Sequence, residues 1–399
     1  MFSFECIGKE EEARVGKIIT SHGTIFTPAF ICVGTQATVK AMSVEDLHHI
    51  GSQVIIANTY HLHLQPGEDL IEQAGGLHAF MGWHGPLMTD SGGFQIFSLG
   101  AAREHATGKM TPIFSEERDR GGHFTGKKRK RLVHMDDEAA YFISYLDGST
   151  HKFTPEGVIR MQRKLGADII LPLDECTSPL HDYDYTKKAM ERTHSWAIRA
   201  QTEFHSVFRN NQSIFGIVQG GAYRDLRKKS ASFNTSQSFD GYAIGGSLGR
   251  SKNDMYNILE WTVPLLPQNK PRHLLGIGGI KDIFEAVKRG VDLMDCILPT
   301  QLARTGTLLV NNVPRSRIHI LNSRYKDDLN PIEQECRCTA CSNHTRAYIR
   351  HLFASKEPLG VHLATIHNLS FIESLMGRIR KAIKEGCFEN LRNDFIASQ

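Results

Sequence analysis

Three cysteines, Cys336, Cys338 and Cys341, are followed at a distance by His367. Three thiolates and one imidazole make a closed tetrahedral site for zinc. With every coordination position filled by protein there is none for a substrate, so the expected ion, one Zn2+, is structural. It would staple a small subdomain that has little core of its own. Residues 346–352 read as a basic helix whose end brings a loop with His367 over the thiolates. His344, His351 and His362 compete with His367 as the fourth ligand, and redox-active or merely buried thiols are the competing reading of the cysteines. The other five, Cys6, Cys32, Cys176, Cys296 and Cys387, are scattered without framework spacing, as expected in a reducing compartment.

Catalytic chemistry must then come from elsewhere. Asp90, Asp174 and Asp295 each follow closely on apolar residues, where a carboxylate is costly unless paired or used. Any one of them could be an N-cap of the next helix. Three together point to a site, because burial and mutual repulsion separate carboxyl pKa values into acid and nucleophile roles. Two carboxylates flanking a ribosyl C1′ suit glycosidic cleavage. The pairs Gly92–Gly93, Gly220–Gly221 and Gly245–Gly246 let backbone approach a flat ligand, and the Gln219 amide can pair with a base edge.

The elements that would position these residues alternate. Apolar runs at 28–33, 53–57, 86–90, 168–173, 213–218, 241–244, 273–277 and 292–297 read as buried strands. Helical patterns at 43–49, 155–165, 185–205, 253–265 and 280–289 fall between several of them. This predicts an α/β chain with a (β/α)8 TIM barrel over residues 1–307, an open doubly wound sheet being the weaker alternative. A zinc-binding subdomain over 308–399 follows, with helices such as 370–384 packing back on the barrel. Residues 101–138, with the basic run 126–131, read as a charged, mobile insertion.

With 399 residues and 40% hydrophobic content, the chain can bury a large core. Its start lacks the basic and apolar regions of a signal peptide, and no apolar run approaches bilayer length, so a cytoplasmic protein with no membrane partner is expected. Residues 336–399 carry nine Lys and Arg against five Asp and Glu, an excess equal to the formal net charge of +4 for the whole chain. A mild basic bias beside a zinc knot suits a polyanion, although a solvated helix face would look the same.

Several motifs carry a specific resemblance: Asn-Thr-Tyr-His-Leu at 58–62, Thr-Asp-Ser-Gly-Gly-Phe-Gln at 89–95, Leu-Asp-Glu-Cys-Thr at 173–177, Ile-Val-Gln-Gly-Gly at 217–221, Tyr-Ala-Ile-Gly-Gly at 242–246, Asp-Cys-Ile-Leu-Pro-Thr at 295–300, and the zinc knot. In this order, over about residues 4–390, the chain resembles the tRNA-guanine transglycosylases, the bacterial type above all. The resemblance implies exchange of the wobble guanine of GUN-anticodon tRNAs for a 7-deazaguanine, without ATP, in queuosine formation. It implies Asp295 as the nucleophile that links to ribose C1′ and Asp90 as general acid and base, in a double displacement that restores the anomeric configuration. It places Asp174, Gln219 and the Gly246 backbone on the purine-like edge, with Phe94 stacked on its face. Ser91, Gly92, Gly93 and Cys176 complete the substrate pocket, and Asn58 helps hold the carboxylates. Gly276, Ile277, Gly278, Gly279, Ile280, Lys281 and Asp282, with Thr300, Gln301, Leu302, Ala303 and Arg304, match the segments that hold the anticodon stem-loop. A homodimer is implied as well.

This chain departs from the bacterial pattern in the loop after Gly246. That loop is one residue short, and Arg250 stands where glutamate is expected. A cation is unfavourable beside the ammonium of 7-aminomethyl-7-deazaguanine unless it points away, so queuine stays open as the alternative base. Gln301 stands where the family often has arginine. Two other function classes compete: a non-catalytic tRNA-binding subunit of a heteromeric transglycosylase, and a barrel hydrolase of small nucleosides.

Overall fold

The structure, a computed structural model, describes residues 2–104, 133–206 and 211–397. Eight parallel strands close a barrel in the order Ile169–Ile170, Ser213–Val218, Gly241–Ile244, Arg272–Leu274, Leu293–Asp295, Ala29–Val33, Ile55–Asn58 and Leu87–Asp90. The last pairs with the first through Met88 opposite Ile169 and Thr89 opposite Ile170. All eight predicted runs are in the barrel, so the open-sheet alternative is excluded. The 168–173 run pairs over only two residues, because Pro172 has no N–H to give to a ladder.

Alternation along the strands separates two cores. Ala29, Ile31, Ile56, Met88, Ile169, Phe215, Ile217, Ala243 and Leu293 fill the barrel interior. Phe30, Cys32, Ile55, Leu87, Ile214, Leu274 and Met294 lie on the other side of the same strands and pack beneath the surrounding helices. The helices begin and end on local signals. Ser43 closes a capping box on Val44–His49, Thr154 caps Pro155–Leu165, and Gly166 ends that helix at φ 74°.

The sequence reading contained no N-terminal sheet, yet Ser3–Glu10, Ala13–Thr20 and Gly23–Thr27 form one, antiparallel. Its Ile18 and Ile25 join the barrel interior and plug it. Arg14, fully buried, donates through Nε to Asp292 Oδ1 (2.8 Å) and through Nη1 to the Gln268 carbonyl, tying this sheet to the start of Leu293–Asp295. A second antiparallel sheet, Val133–Met135, Ala140–Ile143 and Thr150–Phe153, follows the helix Gly93–Glu104, and Phe142 and Phe153 pack with Tyr60 and Trp196. Of the charged insertion read at 101–138, residues 105–132, with the basic run 126–131, lie outside the described residues.

Toward the C-terminus, Thr307–Leu309 pairs with Arg317–His319. The helices Thr339–Asn343, Arg346–Ala354, Pro358–Glu385 and Phe388–Ala397 follow. The long one packs against the barrel strand Ala29–Val33, the helix Leu298–Arg304 and the strand Thr307–Leu309. It changes one expectation: His367 is carried in the interior of this helix, not on a loop. No helix among the described residues is long and apolar enough to cross a membrane.

Candidate active site

Strand parity selects the side chains that converge at the C-terminal mouth of the barrel. Ile56 and Met88 point inward, so Asn58 and Asp90, two residues on, do the same. By the same rule Leu293 leads to Asp295, Ile217 to Gln219, and the inward Leu275 back to His273. Asn58 and Asp90 are register partners on neighbouring strands.

The Asp90 carboxylate is held at three points. Asn58 Nδ2 donates to Oδ2 (2.6 Å), and the Thr59 and Gly92 N–H groups donate to Oδ1 (3.2 and 3.1 Å). Burial pushes this carboxyl up to about 7; the Asn58 and Thr59 donors oppose the shift, and the facing charge of Asp295 adds to it. Asp295 is held on one oxygen only. His273 Nε2 lies 2.9 Å from Oδ1, and the Gly276 N–H donates to the same atom at 3.1 Å. Oδ2 accepts no bond from any described residue, so Asp295 presents one free oxygen to the mouth. His273 is a site residue missed in the sequence reading, which counted it only as the start of a strand. Its signal was a polar side chain on the inward parity, one strand from Asp295.

Asp174 forms a second cluster. It accepts from Gln219 Nε2 (2.6 Å), Ser91 Oγ (3.3 Å) and Cys176 Sγ (3.4 Å). Burial raises its pKa. Glycines are required around it: a Cβ on Gly93 would sit 2.5 Å from the Asp174 carbonyl, and one on Gly246, at φ +71°, would sit 1.9 Å from Gln219 Oε1. That Gln219 oxygen is buried with no donor among the described residues, an acceptor left for a ligand N–H. Phe94 is 48% exposed at the start of its helix, an open aromatic face beside the pocket. Arg227, fully buried, was also missed. It donates to the Gly221, Val218 and Ser247 carbonyls and so fixes both glycine turns around Gln219.

The predicted metal ligands come together. The sulfurs of Cys336, Cys338 and Cys341 lie 3.7, 3.8 and 3.3 Å from His367 Nδ1. A tetrahedral zinc sets such atoms about 3.5 Å apart, so the four could hold that ion. His367 Nε2 donates to the Leu309 carbonyl at 2.6 Å, which fixes the tautomer and turns the Nδ1 lone pair to the thiolates. His344, His351 and His362 are not in this cluster. A second group, His22, His78 and Asp168, is a hydrogen-bonded clasp. The two rings stack at 3.6 Å, so their lone pairs run side by side instead of converging, and Asp168 already accepts the Leu87 N–H.

A family model described as queuine tRNA-ribosyltransferase matches residues 9–399. The chain belongs to this family. It is 48% identical over 394 residues to the putative queuine tRNA-ribosyltransferase of Archaeoglobus fulgidus, covering 97% of each chain. It is 47% identical over 397 residues to the queuine tRNA-ribosyltransferase of Halothermothrix orenii, covering 99% of this chain and 97% of the other.

Within this family member, the residues assigned to RNA by resemblance divide by exposure. Lys281, Gln301 and Arg304 are exposed, and Gly276, Gly279 and Leu302 are half-buried. Ile277, Gly278, Ile280, Asp282, Thr300 and Ala303 are buried, so these shape the surface from beneath. Asp282 is held by Lys252 Nζ and the Tyr256 hydroxyl, each at 3.0 Å. Arg250 is exposed, and its Nε donates to the Pro179 carbonyl at 3.2 Å.

Proposed function

We propose that this chain is a tRNA-guanine transglycosylase that exchanges the wobble guanine of GUN-anticodon tRNAs for a 7-deazaguanine in queuosine formation. The observation that carries the reading is the pairing of two differently tethered carboxyls: Asp90, bound on both oxygens with its pKa raised to about 7, and Asp295, with one oxygen free.

The roles follow from the tethers. Asp295 Oδ2 attacks ribose C1′ as the C1′–N9 bond of the guanosine breaks, and the departing guanine takes a proton from Asp90. The incoming base then gives its N9 proton to Asp90 while that nitrogen displaces Asp295 from C1′. Two inversions restore the configuration, and the proton balance closes on Asp90. A carboxyl near pH 7 can both give and take that proton. Asp174 and Gln219, with the Gly246 backbone, read the purine-like edge, and Phe94 stacks on the face. Ser91, Cys176 and Asn58 hold these groups in place, and Gly92 and Gly93 keep the floor clear.

Cys336, Cys338, Cys341 and His367 hold one structural Zn2+ in this reading, and residues 308–399 form the zinc-binding subdomain on a barrel of residues 1–307. The ion supplies cross-linking and no step of the exchange. A homodimer in which the partner orients the RNA rests on the family resemblance alone, and sedimentation with and without RNA tests it. Arg250, drawn to the Pro179 carbonyl, leaves either 7-aminomethyl-7-deazaguanine or queuine as the base, and competition between the two for incorporation separates them. The presence and tethering of both aspartates argue against a non-catalytic subunit.

Incorporation of labelled guanine into tRNA tests the whole reading. A folded, zinc-loaded protein that incorporates none, or that cleaves free guanosine as fast as it turns over tRNA, would overturn it.

A further inference from the structure

Beside the mouth of the barrel lies a small cavity of about 60 Å³ whose wall carries Lys252, Lys281, Arg315 and Arg317. No Asp or Glu lines it. Leu298, Leu309 and Ile372 supply apolar wall. Lys252 is the one cation with an acidic partner, Asp282 at 3.0 Å. The side chains of Lys281, Arg315 and Arg317 are exposed and form no ion pair or hydrogen bond among the described residues. Cations gathered round one small cavity repel each other. A bound anion converts that repulsion into attraction.

The location says which anion. Three separate segments meet here: the Gly278–Lys281 turn, the start of the helix Leu298–Arg304, and the turn joining Thr307–Leu309 to Arg317–His319. Two of them run straight to the nucleophile. Gly276, whose N–H binds Asp295, is two residues before Gly278, and Leu298 is three residues after Asp295, a reach of at most about 11 Å. Neighbouring phosphates of a single strand follow one another at comparable spacing. We propose that this cavity grips one backbone phosphodiester of the RNA close to the reacting nucleotide, with Arg315 and Arg317 as phosphate ligands supplied by the C-terminal part of the chain. Arginine suits the task, since its fork binds two phosphate oxygens at once. The assignment rests on the transglycosylase reading for the identity of the RNA, and it adds a contact from the 307–319 hairpin to those of the barrel loops.

The test is a double variant, Arg315→Gln with Arg317→Gln, in the full-length zinc-loaded protein, beside Lys188→Gln, which removes an exposed cation from the outer helix Tyr183–His205. Binding of an anticodon stem-loop RNA is measured by filter retention across a salt series, and exchange kinetics in parallel. The double variant should bind roughly tenfold more weakly at low salt and lose about 1.4 from the slope of log affinity against log salt, the value for two phosphate-neutralising cations on single-stranded RNA. KM should rise with it while saturating kcat stays near wild type, and Lys188→Gln should leave the slope alone. Unchanged affinity and slope in the double variant overturn the proposal. So does an inorganic-phosphate site lost in the double variant with RNA binding intact, which would make the cavity a free-anion site. Because RNA retention is read without turnover, a protein that binds RNA through these arginines but exchanges no base would sink the transglycosylase reading and not this one.

Discussion

His273 Nε2 lies 2.9 Å from Asp295 Oδ1, with the ring fully buried and its Nδ1 without a partner among the described residues. The contact fixes which carboxylate oxygen is occupied and which is left for C1′. With Asp295 ionised, the proton sits on Nε2, so a single donor is what the position requires.

Replacing His273 by Leu should therefore leave RNA affinity in place and lower kcat by about 10²-fold, the scale of a misplaced reacting group. Gln, whose amide can reach where Nε2 stood, should recover most of that loss. Single-turnover formation of the RNA–protein adduct separates the two variants. Equal loss in both would show that the ring is needed only for packing.

The Asp90 pKa makes the two halves of the reaction respond oppositely to pH. Guanine departure needs the protonated carboxyl, so its rate should fall as pH rises through about 7. Uptake of the incoming base needs the carboxylate and should fall as pH drops through a lower value, because Asp295 bonded to C1′ no longer carries the charge that helps raise the Asp90 carboxyl. The complete exchange then has a bell-shaped profile whose alkaline limb falls through about 7 and whose optimum lies below it. Asp90→Asn should remove that dependence along with roughly 10²- to 10⁴-fold of rate. Half-reactions with the same pH trend would contradict the assignment of both proton transfers to Asp90.

Much of this site was legible because the barrel imposes a simple rule: a polar residue two positions beyond an inward apolar one on a strand must face the mouth. Asp90, Asp295 and Gln219 could be picked out on that ground. His273 escaped because it stands at the beginning of a short apolar run, where a histidine reads as a boundary. The plugging sheet of residues 3–27 escaped because its first strand is mostly exposed and lacks a clean apolar face. His367 was found as a ligand yet misplaced on a loop, since the spacing of metal ligands says which side chains meet and nothing about the backbone that brings them. Phe94 had meaning only through resemblance, and Gly246 was legible only as half of a glycine pair open to a flat ligand, because their particular roles depend on side chains from other strands.

Metal removal should act on stability and not on the chemistry of the mouth. Cys341→Ser should lose the zinc, measured by mass spectrometry of the intact protein. Loss of about 3 kcal/mol would lower Tm by roughly 3–4 °C in a chain of this length. A metal-free variant with an unchanged Tm would remove the structural role.

Glu373 makes a separate prediction. On the long helix, against Cys32 of the barrel wall, burial pushes its carboxyl from 4.5 up to about 8, with Arg380 opposing. Between those values the unfolded chain has lost the proton that the folded protein retains. Stability should fall as pH rises across that window, at about 1.4 kcal/mol per pH unit, and level off above it. Glu373→Gln should flatten this decline, so that the variant gains on wild type from pH 5 to 8 in denaturant titrations. Parallel stability curves would show that Glu373 does not hold its proton.

The central claim is that Asp295 becomes bonded to the RNA during exchange. Wild type and Asp295→Asn, each incubated with anticodon stem-loop RNA and then quenched in denaturant, should differ in one respect: an RNA-linked protein band, with the RNA attached at residue 295 by peptide mass, forms in wild type alone. If Asp295→Asn incorporates labelled guanine at the wild-type rate, or the adduct maps to another residue, the two-carboxylate account is wrong.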